Sequence, residues 1–243
     1  MEPRLPVGKP IAPLACMTTY DPAPPKLVRI PVDGMWLEGL LGVPAGVRGV
    51  VIFAHGSGSG RLSPRNNYVA AALRSAGIAT LLLDLLTEEE GEDRRLVFAI
   101  PFLATRLRAA ADWVHANPAT CDLAIGYFGA STGAGAALVA AAEDPRVVAV
   151  VSRGGRPDLA GVAALARVAA PTHLIVGGDD GVVIELNREA YARLRCTKRL
   201  TIVPGAGHLF EEPGTLDRVI ALAIEWYAQH LHAPAAQKEE ARR

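Results

Sequence analysis

Hydrophobic residues in this chain fall into short continuous runs, separated by stretches in which apolar positions recur at helical spacing. The first two runs, Leu27–Val32 and Met35–Val43, flank Asp33-Gly34. That dipeptide is a two-residue turn signal, so the pair predicts an antiparallel hairpin. Gly49–Ala54, Ile78–Leu83, Leu123–Phe128, Val147–Val151, His173–Val176 and Leu200–Val203 follow. Runs that are apolar on both faces belong in a parallel sheet covered by helices.

The intervening stretches predict those helices. Tyr68–Ser75 carries Ala and Leu at helical spacing, with Gly77 placed to end it. Arg95–Asn117 puts Leu96, Ile100, Leu103, Leu107, Ala110 and Val114 on one face, with Pro101 starting or kinking it. Thr132–Ala142 is rich in Ala and Gly and can pack closely on a sheet. Val183–Arg195 and Thr215–Leu231 complete the set. Strands alternating with helices predict a doubly wound, mostly parallel, eight-stranded α/β sheet with right-handed crossovers.

Composition sets the limits of this domain. Residues 1–25 are rich in proline and read as an extended arm, 26–233 as one domain, and 234–243 as a polar tail. Half of the 243 residues are hydrophobic, as a large buried core requires. The 25 basic and 25 acidic residues balance, which argues against nucleic acid and anionic membrane as partners. Cys16, Cys121 and Cys196 lie far apart with no C-x-x-C spacing, so neither a disulfide framework nor a metal site is expected. Ile11–Met17 is too short for a signal-peptide core and is broken by Pro13. Leu14-Ala15-Cys16 only faintly matches a lipoprotein site. The expectation is a cytoplasmic monomer or homodimer, without cofactor, acting on a small molecule.

In open α/β sheets the chemistry gathers at the carboxyl ends of the strands. Four ends here carry reactive residues. Gly129-Ala130-Ser131-Thr132-Gly133 joins a strand directly to a helix. This is G-x-S-x-G in the setting that makes it a nucleophile turn: small neighbours allow a tight bend that exposes the serine oxygen. The helix that follows places unpaired N–H groups beside a developing oxyanion. The competing explanation is a glycine-rich packing turn.

His55-Gly56-Ser57-Gly58-Ser59-Gly60 follows the strand Gly49–Ala54. Its glycines admit close approach of a bound acyl group, and the N–H groups of Ser57 and Thr132 are the expected oxyanion donors. His55 is expected to pack and bond beneath the loop. A phosphate loop is the rival, but neither G-x-G-x-x-G nor G-K-[ST] is present. Gly177-Gly178-Asp179-Asp180 offers an acid, with Asp180 preferred over Asp179, which is assigned to the turn. Gly205-Ala206-Gly207-His208 offers the base. The order Ser131, Asp180, His208 is the triad order of this fold class.

These segments resemble the dienelactone hydrolase-related branch of the α/β-hydrolase superfamily, over roughly residues 27–232. The resemblance implies the α/β-hydrolase fold, a Ser131–His208–Asp180 triad and an ester or lactone substrate. Phe53–Ser59, Ser63-Pro64-Arg65-Asn66 and Ser152–Leu159 are similar to a bacterial subgroup that sometimes occurs fused to phosphoribosyltransferase domains; no such segment is visible in these 243 residues. Dienelactone hydrolases carry cysteine where this chain has Ser131, and a serine activated by a histidine base suits ordinary esters.

Arg61, Arg65 and Arg153 lie near the expected mouth and could bind an acidic group, since guanidinium pairs with carboxylate or phosphate. Salt bridges to acids such as Asp158 or Glu88–Glu90 are the alternative for these arginines and for Arg156. Glu88–Glu90 itself reads as a solvated loop or helix start. With only that loop and one long helix between Asp84 and Leu123, a minimal lid and an open, shallow site are expected. Acyl transfer or perhydrolysis on the same triad, and a non-catalytic ligand-binding module, are the competing functions.

Overall fold

The structure is a computed structural model that describes residues 24–232. Most of the expected N-terminal arm, and the C-terminal tail, therefore lie outside the described residues. The eight expected strands form one sheet: β1 Lys26–Val32, β2 Met35–Gly42, β3 Gly49–Ala54, β4 Ala79–Leu83, β5 Ala124–Ala130, β6 Val147–Arg153, β7 Thr172–Gly177 and β8 Lys198–Val203. Their order is β1-β2-β4-β3-β5-β6-β7-β8. Pairing is antiparallel for β1/β2 and β2/β4 and parallel from β4 through β8. The hairpin turns at Asp33 and Gly34, both at positive φ. This is the backbone that the right-handed twist of paired strands demands of a two-residue turn.

Helices cover both faces. α1 (Pro64–Ser75) starts earlier than its apolar spacing indicated. Ser63 accepts the Asn66 N–H, and Pro64 occupies the first turn, where its missing N–H costs nothing. The acidic segment forms two short helices, α2 (Glu88–Glu92) and α3 (Arg94–Val97). α4 spans Ile100–Ala116 with Pro101 in its first turn, so the proline starts the helix and detaches Arg95 from it. α5 (Thr132–Glu143), α6 (Gly161–Arg167), α7 (Gly181–Arg193) and α8 (Thr215–His230) complete the chain. Among the described residues no helix is long and apolar enough to cross a membrane.

Alternation along the central strands divides the core in two. Val51, Phe53, Phe128, Val151 and Ile175 face α1 and α8, meeting Val69, Leu73, Val219 and Trp226. Val50, Ile52, Tyr127, Val150 and Leu174 face the other way, toward Leu103 and Leu107 of α4 and Leu138 of α5. Each large side chain buried this way contributes about 1.5–3 kcal/mol. The result is a rigid plate whose parallel strands all end along one edge. Ser131, Asp180 and His208 are carried by the loops leaving that edge.

Candidate active site

Ser131 sits between β5 and α5 at φ 50° and ψ −123°. A non-glycine residue rarely adopts this conformation, and such strain persists only where surroundings enforce it. The Ser131 N–H donates to the Arg153 carbonyl at 3.3 Å, and the Ser131 carbonyl accepts from Arg156 at 2.9 Å. A serine at a helix N-cap ordinarily accepts a backbone N–H of the first turn. Ser131 makes no such bond, and its oxygen is directed at His208 instead.

The flanking glycines are required sterically. A Cβ at Gly129 would collide with the backbone of Ala134, and one at Gly133 with the carbonyl oxygens of Ala54 and His55. β5, α5 and the loop after β3 therefore close on one another only because both side chains are absent.

His208, on the loop after β8, brings Nε2 to 3.3 Å from Ser131 Oγ and Nδ1 to 2.6 Å from Asp180 Oδ2. Asp180 precedes α7 without capping it, which leaves its carboxylate for the imidazole. Asp179 is held by its own N–H on the Ala206 carbonyl. The 3.3 Å contact is long, as hydrogen bonds between catalytic groups commonly are before a substrate tightens them.

Ser57 N–H donates to Thr132 Oγ1 at 2.9 Å, which ties the loop after β3 to the first residue of α5. Thr132 opens α5, where the helix dipole favours negative charge. Beneath the loop, His55 Nδ1 bonds the Gly56 carbonyl at 2.9 Å and Nε2 accepts the Leu85 N–H at 3.0 Å. Both ring nitrogens are thus engaged, and burial lowers the pKa of the imidazole below its ordinary value. His55 clamps the ends of β3 and β4 together.

The arginines separate. Arg61 pairs with Asp84 through Nη1 and with Glu38 through Nη2, while its Nε is buried without an acceptor among the described residues. These ion-pair partners differ from the acids considered from sequence, and Arg61 also lines the cavity described below. Arg65 pairs with Glu211 at 2.6 Å, and Arg156 with Asp158 at 2.8 Å. Arg153 is buried at the end of β6, and no described residue accepts a hydrogen bond from its Nε or Nη1.

A cavity of about 660 Å³ adjoins the site and runs from the Gly56–Ser59 loop and Thr132 to α2, with Leu37, Leu86, Val97 and Leu103 among its walls. Glu88 opens α2, and Glu88 and Glu89 are exposed while Glu90 is half-buried. Glu90 closes a capping box with Thr87 and pairs with the buried Arg106 at 2.8 Å. Sequence reasoning missed this pair, because Arg106 interrupts the apolar face of α4 as any exposed residue would.

A family model described as the dienelactone hydrolase family matches residues 37–238. A solved structure described as dienelactone hydrolase from Anabaena variabilis is 57% identical, with a TM-score of 0.83, covering 86% of this chain and 99% of that one. Est1E from Butyrivibrio proteoclasticus shares the fold at 17% identity and a TM-score of 0.69, over 83% of this chain and 99% of its own. The Mycobacterium tuberculosis protein named "Putative phosphoribosyl transferase Rv0571c" is 58% identical over 209 residues. That match takes in 85% of this chain but 47% of the mycobacterial protein, so the chain spans about half the length of that relative.

Proposed function

The chain belongs to the dienelactone hydrolase family, and from that premise we propose that it is a serine hydrolase cleaving a small carboxylic ester or lactone. The observation that carries this reading is the continuous chain from Ser131 Oγ through His208 to Asp180, at 3.3 and 2.6 Å.

Ser131 Oγ attacks the substrate carbonyl while His208 Nε2 takes its proton. Asp180 holds the imidazole by Nδ1 and stabilises the imidazolium that forms. The negative charge moves to the carbonyl oxygen, where the Thr132 N–H receives it, joined by the Ser57 N–H as it turns from the Thr132 hydroxyl to the oxyanion. Such donors are worth about 10²–10³ in rate each. The intermediate collapses, His208 returns the proton to the leaving oxygen, and an acyl ester of Ser131 remains. Water, activated by the same imidazole, then releases the acid. The cavity beside Thr132 takes one arm of the substrate against its apolar walls.

Cysteine at the family's nucleophile position ionises readily, whereas a serine depends on its base throughout. Activity should therefore need neutral His208. The test is p-nitrophenyl acetate turnover and fluorophosphonate labelling. S131A should lose both while melting like the parent chain, and retention of either overturns the assignment. Product analysis with alcohol or peroxide acceptors separates hydrolysis from acyl transfer.

A further inference from the structure

α7 begins directly after Asp180 and buries three residues, Val183, Asn187 and Ala190. Their spacing of four and then three puts them in one stripe along the helix, and Asp180 lies in line with it, seven residues before Asn187. Val183 and Ala190 are apolar, as an inward stripe requires. Asn187 is polar, yet none of it reaches solvent. Its Nδ2 donates to the Val183 carbonyl one turn back at 2.8 Å, and to the Gly155 carbonyl, 32 residues away, at 2.9 Å. Its Oδ1 is buried with no donor among the described residues.

A buried amide whose acceptor half is unmet destabilises a fold. A leucine would fill the same stripe without that penalty, so packing alone does not account for the asparagine. What the amide adds is the bond to Gly155, and the segment Gly154–Arg156 is where nucleophile and base are held. The Arg156 N–H donates to the Ser131 carbonyl at 2.9 Å, and the Arg153 carbonyl just before the segment accepts the Ser131 N–H at 3.3 Å. Gly154, at φ 51°, lies against His208: a Cβ there would stand 2.8 Å from the His208 carbonyl oxygen and 3.7 Å from Nδ1. Among the described residues, Asn187 makes the one side-chain hydrogen bond from α7 to this segment.

We infer that Asn187 is a positioning residue for the triad, an inference that rests on the hydrolase reading above. By fixing α7 against Gly154–Arg156, it sets the Asp180 carboxylate against Nδ1 of His208. Asp180 makes no capping bond to its own helix, so the placement of α7 aims the carboxylate. Asn187 stands two turns further along the same side, about 10 Å away. Loosening the helix there lets its amino end drift, and the 2.6 Å bond to His208 weakens with distance and angle. Ser131, Thr132 and Ser57 are carried by other segments, so the groups that meet the substrate stay in place.

The experiment measures p-nitrophenyl acetate turnover against pH for the parent chain, N187L and N187S, with melting temperatures alongside. N187L fills the stripe and deletes both donated bonds. N187S can still donate to the Val183 carbonyl one turn back but is too short for Gly155. Both should lower kcat about tenfold, as loss of a bond that leaves the Gly155 carbonyl without its donor provides, at nearly unchanged KM. Both should also move the acid limb of the kcat profile to lower pH, because an imidazolium less firmly held by Asp180 gives up its proton more readily. A kcat loss with the acid limb in place overturns the proposal. So does a rise in KM at constant kcat, or a lower melting temperature as the only change. Should N187L not fold, N187S decides alone, and an N187S variant that matches the parent in kcat and pH profile sinks the role of Asn187. Absence of both turnover and fluorophosphonate labelling in the parent chain sinks the hydrolase reading itself.

Discussion

The N–H of Ser57 donates to the hydroxyl of Thr132 across 2.9 Å, joining residues 75 positions apart. One end belongs to a loop containing Gly56, Gly58 and Gly60, which has little stiffness of its own. The other is anchored in the first turn of α5, immediately after Ser131. The bond therefore registers the loop after β3 against the start of α5 and against Ser131, and on the proposed mechanism it sets one oxyanion donor relative to the other.

Removing the Thr132 hydroxyl should loosen that register without touching the triad. T132V keeps the shape and deletes the acceptor, so kcat should fall about fivefold, equivalent to about 1 kcal/mol for one net hydrogen bond. KM should change little, and T132S should restore most of the rate. Steady-state kinetics on p-nitrophenyl acetate checks this. Equal rates for T132V and the parent would show that the loop is held by other means.

Much of this arrangement was legible in the sequence because it is local. The strand runs, the Asp33-Gly34 turn and the strand-to-helix setting of Ser131 each depend on a few adjacent residues. Asp180 and His208 followed from their places after the last two strands. What was not legible is non-local. Arg61 and Glu38 lie 23 residues apart, and nothing in either segment announces the other. Of the helices over the cavity, α2 was legible only as a solvated loop or helix start at Glu88–Glu90, and α3 not as a separate helix, because neither buries a residue fully and both lack apolar periodicity. Arg153 looked like Arg61 and Arg65 as a letter; only its burial without a partner sets it apart.

The steric argument for the nucleophile turn makes a sharp contrast between two glycines. G133A drives a methyl group into the carbonyls of Ala54, the last residue of β3, and His55, the first of the loop that follows. It should destabilise the chain by about 3 kcal/mol, the upper range for overpacking, and urea denaturation would show it. Gly91, in α2, has nothing within 4 Å of the position a Cβ would take. G91A should be neutral or stabilising by about 0.5–1 kcal/mol through helix propensity. Similar losses in the two variants would contradict the close-packing account.

Glu90 stabilises the cavity wall in two ways. Its carboxylate accepts the Thr87 N–H at 2.9 Å and pairs with Arg106, which is 2% exposed. E90A strands a buried guanidinium and should cost about 3 kcal/mol. E90Q can still accept from Thr87 and should cost roughly half as much. Because α2 borders the cavity, both variants should raise KM more than they lower kcat. A kcat loss with unchanged KM would place the effect at the triad instead.

Stability should depend on pH through His173. The ring is fully buried, with Nε2 2.8 Å from Thr201 Oγ1 and the Trp226 ring tilted against it at 5.1 Å between centroids. Burial first, then the charge of Arg199, pushes its pKa down to about 4. The folded chain therefore holds His173 neutral at pH values where the unfolded chain, with an ordinary histidine pKa near 6.5, is already protonated. Above pH 6.5 neither state binds the proton and the contribution is constant. As pH falls from about 6.5 toward 4 the unfolded state gains it, and stability drops by about 1.4 kcal/mol per unit, roughly 3 kcal/mol in all. His55, also lowered by burial, adds slope in the same direction. Urea denaturation across pH 4–7 on the parent and H173Q isolates the His173 part as the difference between the two curves. Parallel curves would mean that the folded chain accepts the proton on His173 as easily as the unfolded one.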